Sequence, residues 1–281
     1  MNLIVTHTSR YSYSKPVWLQ PQIIRLRPRC DGALRLERFD IDIAPKPVAV
    51  SACLDIEGNS VIHAWFGDKA TQLEIVTHFE VETGRTNPFD YLLDSSADTL
   101  PIAYGEQLSG SLARYCLRAD DDDSVAKFAR SLAEAAGGHT LAFLNALNDE
   151  IQRTCPISVR EKGAPHPPAH TLEHRRGSCR DVAMLFIDAC RAVGIAARFV
   201  SGYQRGGNGQ EKRYMHAWPE VYLPGGGWRG YDPTHGLAVA DAHVAVAACR
   251  EPHGATPIEG SFCGDDVSST LDARVEIEEG R

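Results

Sequence analysis

The sequence predicts an α+β fold in which a β-rich N-terminal domain precedes a core of helices and strands. Two observations carry this prediction. In the first hundred residues, short runs rich in β-branched residues are separated by Gly, Pro and Asp, as in strands joined by turns. Beyond them, apolar residues recur at offsets of three and four, the repeat of one buried helix face, and strand patterns then return. We therefore divide the chain into residues 1–100 and 101–281.

Six strands are predicted in the N-terminal domain. They are Leu3–Tyr13, Ile23–Arg27, Phe39–Ile43, Val48–Leu54, Val61–Trp65 and Thr71–Glu82. Turn-forming residues stand between them. The segment that follows Thr86-Asn87-Pro88 is predicted to connect these strands to the helical part of the chain.

Two helices are predicted next. Ser124 is expected to cap a helix over Val125–Ala136, because the preceding acidic run Asp120–Asp123 complements a helix start. The second helix, Leu141–Arg153, carries apolar residues along one face. No metal-binding role is needed to explain the acidic run.

The remaining elements of the core are loops and further strands. Arg160–Arg176 and Gln204–Arg213 are predicted to be long irregular loops, which commonly shape the entry to a site. After Gly236, strands over His243–Ala248 and Val275–Glu279 are predicted to complete the sheet of the core.

Cys179 is a candidate nucleophile because it stands at a predicted helix start. Apolar residues recur with helical spacing from Val182, Ser178 suits an N-cap, and Gly194 suits the C-terminal stop. In the first turn, backbone N–H groups and the helix dipole favour an anion. Cysteines placed there have thiol pKa values lowered from about 8.5 to roughly 3.5–7.5. The sequence thus predicts a reactive thiolate rather than a structural cysteine.

His216 lies in a predicted strand, Tyr214–Leu223, in which Pro219 indicates an edge position or a bulge. A turn at Pro224–Gly227 leads to a second strand that ends at Asp232, since the following proline holds Asp232 extended. A plain hairpin pairs Tyr222 with Arg229, and so sets Asp232 opposite Pro219, about three positions from His216. A bulge near Pro219 would bring the carboxylate to the imidazole.

Composition excludes several classes of function. The 281 residues carry 29 Lys and Arg against 37 Asp and Glu, a net charge of −8, which argues against nucleic-acid binding. The first residues lack the pattern of a signal peptide, and no stretch approaches the roughly 20 apolar residues of a membrane helix. Eight cysteines are scattered without a C-x-x-C pair. We therefore expect a cytoplasmic protein with reduced thiols and no membrane partner.

A zinc-binding module is an alternative interpretation. Three histidines recur at every fourth residue just before Cys179: His166, His170 and His174. Prolines at 165, 167 and 168 interrupt any helix through the first of them, so only His170 and His174 could share a helix face. This alternative remains open beside the thiolate.

Four motifs resemble the transglutaminase-like superfamily in order and spacing, over roughly residues 141–236. They are Gly177-x-Cys179-x-Asp181, Gly194-Ile195-x-Ala197-Arg198-x-Val200-x-Gly202-Tyr203, His216-Ala217-Trp218-x-Glu220-Val221-Tyr222 and Gly227-Trp228-x-x-Tyr231-Asp232-Pro233-Thr234. Shorter motifs in the first hundred residues resemble the β-rich N-terminal region of bacterial members. These are Thr6-His7-Thr8, Tyr11-x-Tyr13, Pro16-Val17, Leu26-Arg27-Pro28 and Asp55-x-x-Gly58-Asn59.

The resemblance implies a papain-like core in which the cysteine helix packs on a sheet that bears the other two site residues. It implies that Cys179 is the nucleophile, that His216 serves as base and then acid, and that Asp232 orients His216. It also implies a bulge or a shifted pairing between the two strands. Trp218 and Tyr203, which lie in the same motifs, are predicted to contact the substrate.

The family includes protein cross-linking acyltransferases, deamidases, peptide hydrolases and members without catalysis. Its active members share a thioester intermediate and differ in whether an amine or water resolves it. The sequence therefore predicts a thiol acyltransferase, or a cysteine protease or amidase, that acts on protein or peptide amides without a metal or cofactor. Non-catalytic binding stays an alternative, and the oligomeric state is left open.

Overall fold

The structure, a computed structural model, describes residues 1–118, 122–160, 163–206 and 215–280. Within these ranges the strands are β1 (Asn2–Leu19), β2 (Gln22–Ile24), β3 (Leu34–Ala44), β4 (Ala49–Leu54), β5 (Ser60–Trp65), β6 (Lys69–Thr83), β7 (Ala197–Gln204), β8 (His216–Leu223), β9 (Gly227–Asp232), β10 (Leu237–Ala238), β11 (His243–Cys249), β12 (Ile258–Glu259), β13 (Phe262–Cys263) and β14 (Ser269–Glu279). The helices are α1 (Glu106–Cys116), α2 (Asp123–Ala135), α3 (Thr140–Thr154), α4 (Pro168–His174) and α5 (Cys179–Ala192).

Three antiparallel sheets organise these strands. The N-terminal sheet has the order β13-β1-β6-β3, with β14 also paired to β1. The small sheet has the order β12-β2-β5-β4, and the site sheet has the order β10-β9-β8-β7-β11. The predicted α+β class, with a β-rich N-terminal region ahead of a helix-and-sheet core, is confirmed.

The first half of β1 shows why this region forms a sheet. Leu3, Val5, His7 and Ser9 are buried, and the residues between them are more exposed, which is the period of two expected of a strand with one covered face. The predicted strands of this region all occur, with bounds that differ by a few residues. β1 runs six residues further than predicted, with a shift of register between Ser12 and Val17.

The C-terminal strands do not all belong to the core, as the sequence suggested. β11 pairs with β7 in the site sheet, but β14 pairs with β1 from Leu3↔Glu279 to Tyr13↔Ser269. The prediction that Val275–Glu279 completes the core sheet is therefore wrong. Such pairing across the whole chain leaves no local trace in the sequence. The division near residue 100 stays a prediction.

Two helices were missed, and one helix start was misplaced. Both α1 and α4 were expected to be connecting segments, and α4 lies within the predicted loop Arg160–Arg176. α2 begins at Asp123, and its N-cap is Asp122, whose side chain accepts from the Ser124 backbone N–H at 2.7 Å. Most of the predicted loop at Gln204–Arg213 lies outside the described residues.

α5 is the central helix of the core. Between Asp181 and Arg191 every residue is buried, and its apolar side chains share one cluster with α2, α3 and the inner face of the site sheet. Gly194 ends the helix region with φ of 83°, in the left-handed range that the predicted C-terminal stop requires. Burial on all sides fixes the helix, and therefore the position of its first residue.

The β4–β5 turn links the N-terminal part to the site sheet. The amide of Asn59 is fully buried, accepts from the Ala248 backbone N–H at 2.8 Å and donates to the Ala248 carbonyl oxygen at 2.9 Å. The Asn59 side chain thus takes the place of a neighbouring strand beside β11, because its amide has both an acceptor and a donor for the backbone groups of Ala248. β11 is held in place from outside the core.

Among the described residues, no helix is both long enough and apolar enough to cross a membrane.

Candidate active site

Cys179 is the first residue of α5, as predicted. Ser178 and Asp181 form the predicted capping box, and Asp181 Oδ2 accepts from the Ser178 backbone N–H at 2.7 Å and from the Ser178 hydroxyl at 2.8 Å. Cys179 is partly buried. Its own N–H belongs to the first turn, whose donors have no acceptor within the helix.

Asp181 also fixes the segment that precedes α4. Its Oδ1 accepts from Arg160 Nη2 at 2.6 Å and from the His166 backbone N–H at 2.7 Å. Burial alone would raise the pKa of the Asp181 carboxyl, but these donors and Ser178 lower it. A buried carboxylate therefore ties the segment before α4 to the start of α5.

The pairing of β8 with β9 brings Asp232 to the face of His216. Tyr222 pairs with Trp228, not with Arg229 as predicted, because the connecting loop has three residues rather than four. Gly225 and Gly227 both have positive φ, 82° and 72°, which permits this tight closure.

This register, continued along β9, sets Asp232 opposite Trp218. Trp218 lies on the same face as His216, so Asp232 becomes the diagonal neighbour of His216. The predicted bulge near Pro219 is absent, since neither ladder of β8 shows a register shift. The edge interpretation is also wrong, because β8 lies between β7 and β9. The shifted pairing is correct.

His216 and Asp232 are in direct contact. His216 Nε2 lies 2.8 Å from Asp232 Oδ2. His216 is 9% exposed and Asp232 is fully buried. An ionised carboxylate only accepts hydrogen bonds, so Nε2 carries a proton and Nδ1 is the ring nitrogen left for another partner. The Cys179 thiol interacts with the same ring by hydrogen bonding and charge, and we assign this interaction to Nδ1 because Nε2 faces Asp232.

The electrostatics of these three groups favour a thiolate–imidazolium pair. Burial disfavours the Cys179 thiolate, but the hydrogen bond and charge of His216 outweigh burial, so the pKa of the thiol is lowered. Arg180 and the Ala217 backbone N–H contribute in the same direction. Burial also disfavours the imidazolium, but Asp232 and Cys179 together raise the pKa of His216 to about 10. Both shifts stabilise separated charge across the pair.

Asp232 accepts from more groups than the sequence suggested. His235 Nδ1 and His243 Nε2 lie 2.8 and 3.1 Å from the same Oδ2, and the Thr234 backbone N–H reaches Oδ1 at 3.1 Å. Burial alone would raise the pKa of the Asp232 carboxyl, but the imidazole donors hold it well below its usual range. The charge is thus satisfied without water.

Strand direction explains how these residues meet. His216 begins β8, and Asp232 ends β9, which is antiparallel to β8. His243 begins β11, which runs parallel to β8. All three residues therefore lie at the same end of the strands of the site sheet. In a flat sheet β9 and β11 would be about 14 Å apart, three strand spacings. A contact of 3.1 Å between Asp232 and His243 therefore requires a strongly curled sheet. His235 and His243 were not predicted as site residues from the sequence, although His243 begins a predicted strand.

The two predicted substrate contacts lie elsewhere. Trp218 and Tyr203 are each 1% exposed, so neither side chain offers a surface to a substrate. The Trp218 ring packs behind the rings of His216 and His243, at centroid distances of 5.9 and 5.3 Å. Tyr203 packs against the N-terminal sheet, and its hydroxyl lies 2.7 Å from His7 Nδ1. Both support the site from the inside.

The indole of Trp218 depends on a glycine in β7. A Cβ at Gly202 would collide with the Val244 carbonyl oxygen and come within 2.6 Å of the Trp218 ring. Only glycine leaves room for the ring at this crossing. The glycine in β7 therefore allows the Trp218 ring to pack against His216.

The histidines weighed as zinc ligands do not converge. Among the described residues, the potential metal ligands that come within 4.8 Å of one another as a group of three are His216, Asp232 and His243. The histidines before Cys179 do not form such a group. In that group both ring nitrogens lie at hydrogen-bonding distance from the same carboxylate oxygen. Hydrogen bonds account for the arrangement.

Comparison with known proteins agrees with this geometry. Residues 126–233 match the transglutaminase-like superfamily, and residues 3–82 match the bacterial transglutaminase-like N-terminal region. An uncharacterized protein of Mycobacterium bovis is 25% identical over 97% of this chain and 91% of its own length. One of Mycobacterium leprae is 34% identical over 38% of this chain and 39% of its own length.

Two further likenesses concern named proteins. A protein-glutamine gamma-glutamyltransferase of Pseudomonas aeruginosa is 38% identical, over 24% of this chain and 11% of that protein. The crystal structure of a candidate cysteine protease from Cytophaga hutchinsonii matches with a TM-score of 0.74 and 21% identity, over 99% of this chain and 90% of that chain. At this identity the likeness shows the fold alone. The chain belongs to the transglutaminase-like superfamily and carries the N-terminal region of its bacterial members.

Proposed function

We propose that this protein is a thiol-dependent acyl-transfer enzyme that acts on carboxamide or peptide bonds of proteins or peptides. The observation that carries the proposal is the Cys179–His216–Asp232 arrangement, with the His216–Asp232 contact at 2.8 Å and a thiol hydrogen-bonded to the same imidazole. A nucleophile, its base and the group that orients the base are the parts that covalent acyl transfer needs. The match to the P. aeruginosa glutamyltransferase supports the choice of reaction class.

The first half-reaction would form the thioester. The Cys179 thiolate attacks the carbonyl carbon, and the C–N bond breaks as His216 gives its Nδ1 proton to the departing amine or ammonia. Cys179 then holds the acyl group, and His216 is neutral. Asp232 keeps the ring oriented and stabilises its charge throughout.

The second half-reaction would release the acyl group. His216 takes a proton from an incoming amine or water, which attacks the thioester carbon, and the thiolate leaves. An amine gives a new amide, and water gives a carboxylate. The Cys179 backbone N–H, in the first turn of α5, would stabilise the oxyanion of both tetrahedral intermediates.

Partial exposure of the thiol supports access of the substrate to Cys179 alone. His216 and Asp232 are buried, so a substrate would reach Cys179 more readily than either of them. Proteolysis or amide hydrolysis would use the same groups with water as the second nucleophile. Hydrolysis and amine transfer would therefore take place at the same site, and one experiment distinguishes them. The cytoplasmic location stays a prediction.

The test is mass spectrometry of glutamine-containing peptides incubated with the protein, with and without a primary amine. Amine incorporation identifies a transferase, a gain of about one dalton a deamidase, and cleavage a protease. Cys179→Ala should abolish each product. The matched control is Cys263→Ala, which removes an exposed cysteine in β13 and should change nothing.

Alkylation by iodoacetamide is a second test, and one of its outcomes would contradict the proposed function. We expect Cys179 to react faster at pH 6 than the exposed Cys30, Cys53 and Cys263, because its pKa is lowered. Alkylation of Cys179 that is no faster than that of these exposed thiols, together with no Cys179-dependent product, would overturn the proposal.

A further inference from the structure

His243 is a buried histidine that the reaction scheme above does not use. It begins β11, is 6% exposed, and directs Nε2 at Asp232 Oδ2 from 3.1 Å. Its other ring nitrogen, Nδ1, is buried with no hydrogen-bond partner among the described residues. A proton on Nδ1 would therefore be unsatisfied, which places the single proton on Nε2.

His243 is thus a neutral donor. Burial lowers its pKa, so the ring stays uncharged while it donates to the carboxylate. Its position is fixed from two sides: the Trp218 ring packs edge-on at 5.3 Å, and Asn59 holds β11 through Ala248. A fixed neutral dipole aimed at a buried carboxylate partly offsets the charge of that carboxylate.

We propose that His243 is a positioning residue, which holds Asp232 Oδ2 through one hydrogen bond and moderates how strongly that carboxylate retains the proton on His216. The inference rests on the proposed function and concerns the same site. Three imidazoles share one oxygen, so each donor weakens the pull of the carboxylate on the other two. His216 must release its proton to the leaving amine, and a moderated carboxylate makes it a stronger acid.

His235 provides a comparison within the same chain. It donates to the same oxygen from 2.8 Å, but its side chain is 36% exposed. Water can replace a donor at such a position, whereas it cannot replace the buried His243. In the described part of the chain, the charged and titratable groups that act on Cys179, His216 and Asp232 include Arg180 on α5, His235 after β9 and His243 on β11.

The test measures His216 directly, by pH titration of its ¹⁵N imidazole resonances, in variants that stay folded by circular dichroism. His243→Leu should move the deprotonation of His216 upward by about one pH unit and lower the turnover of peptide amides about tenfold. His243→Gln, whose side-chain amide N–H reaches the place of Nε2, should stay close to the parent protein in both. His235→Leu should give a smaller shift than His243→Leu.

Three outcomes would overturn the inference: no shift in His243→Leu, a downward shift, or an equal shift in His243→Gln. Should the leucine variant fail to fold, His243→Asn serves instead, since its shorter amide does not reach Oδ2 and the same upward shift is expected. A merely structural role would lower turnover without moving the titration. Failure of the proposed function is seen separately, as slow alkylation of Cys179 in the parent protein.

Discussion

Two groups of three histidines lie near the nucleophile, and they are used differently. The Asp232 cluster consists of His216, His235 and His243 around one carboxylate oxygen. The α4 row consists of His166, His170 and His174, spaced four residues apart along the chain. In the sequence the α4 row is the more conspicuous, and in the structure the Asp232 cluster is the one that converges on a buried carboxylate.

The difference is the shared buried partner. In the α4 row the His166 and His170 rings are tilted at a centroid distance of 4.6 Å, and the His170 and His174 rings stack at 4.0 Å. His174 Nδ1 lies 2.9 Å from the His170 carbonyl oxygen. His170 and His174 are exposed. In the Asp232 cluster a fully buried carboxylate receives all three rings. Regular spacing therefore says less about function than convergence on a desolvated charge.

The largest effect is expected from His216→Ala. Without the imidazole the thiol loses its hydrogen bond and its counter-charge, so turnover should fall at least about 10⁴-fold. Iodoacetamide should then label Cys179 no faster than exposed cysteines, as measured by mass spectrometry. Retained fast labelling at pH 6 would mean that the helix start alone activates the thiol, and the comparison between the clusters would lose its basis.

Asp232→Asn should follow in size. The amide keeps the shape of the side chain but not the charge, so turnover should fall about 10³–10⁴-fold. Removing one partner of a buried pair should also lower the free energy of unfolding by about 3 kcal/mol. Urea denaturation measures this quantity, and Asp149→Asn, at a carboxylate on α3 away from the site, is the matched control.

The stability difference between parent and Asp232→Asn should depend on pH. His216 has an ordinary pKa of 6.5 that is raised to about 10 in the folded protein, so its contribution is complete below pH 6.5 and is lost as pH rises towards 10. The Asp232 carboxyl has a lowered pKa, so its contribution is present above its ordinary 3.8 and is lost in acid. The gap should be widest between pH 4 and 6.5 and narrow at pH 9–10. A gap that grows with rising pH would contradict the raised pKa of His216.

The smallest effects are expected in the α4 row. His170→Ala and His174→Ala should change the free energy of unfolding by no more than about 0.5 kcal/mol, because both side chains are exposed and receive no buried charge. Turnover and the alkylation rate of Cys179 should stay at the parent level. A marked loss of either in both variants would show that the α4 row contacts the substrate, and would erase the contrast with the Asp232 cluster.

Local sequence patterns were sufficient to predict the secondary structure around each site residue. Helical spacing after Val182, with Ser178 and Asp181 as a capping box, placed Cys179 at the start of α5. The strand pattern placed His216 on β8, and Pro233 ended β9 at Asp232. These features were predictable because they depend on residues within a few positions of one another, where periodicity and capping act directly.

The contacts between the site residues depend on how distant elements pack. A loop one residue shorter than expected, closed by Gly225 and Gly227, moved Asp232 to the face of His216, because a shift of one residue turns every side chain of a strand over. The curl of the site sheet then joined His243 to Asp232 across two intervening strands. Register and curl are set by packing between elements distant in the chain, and no local pattern encodes them.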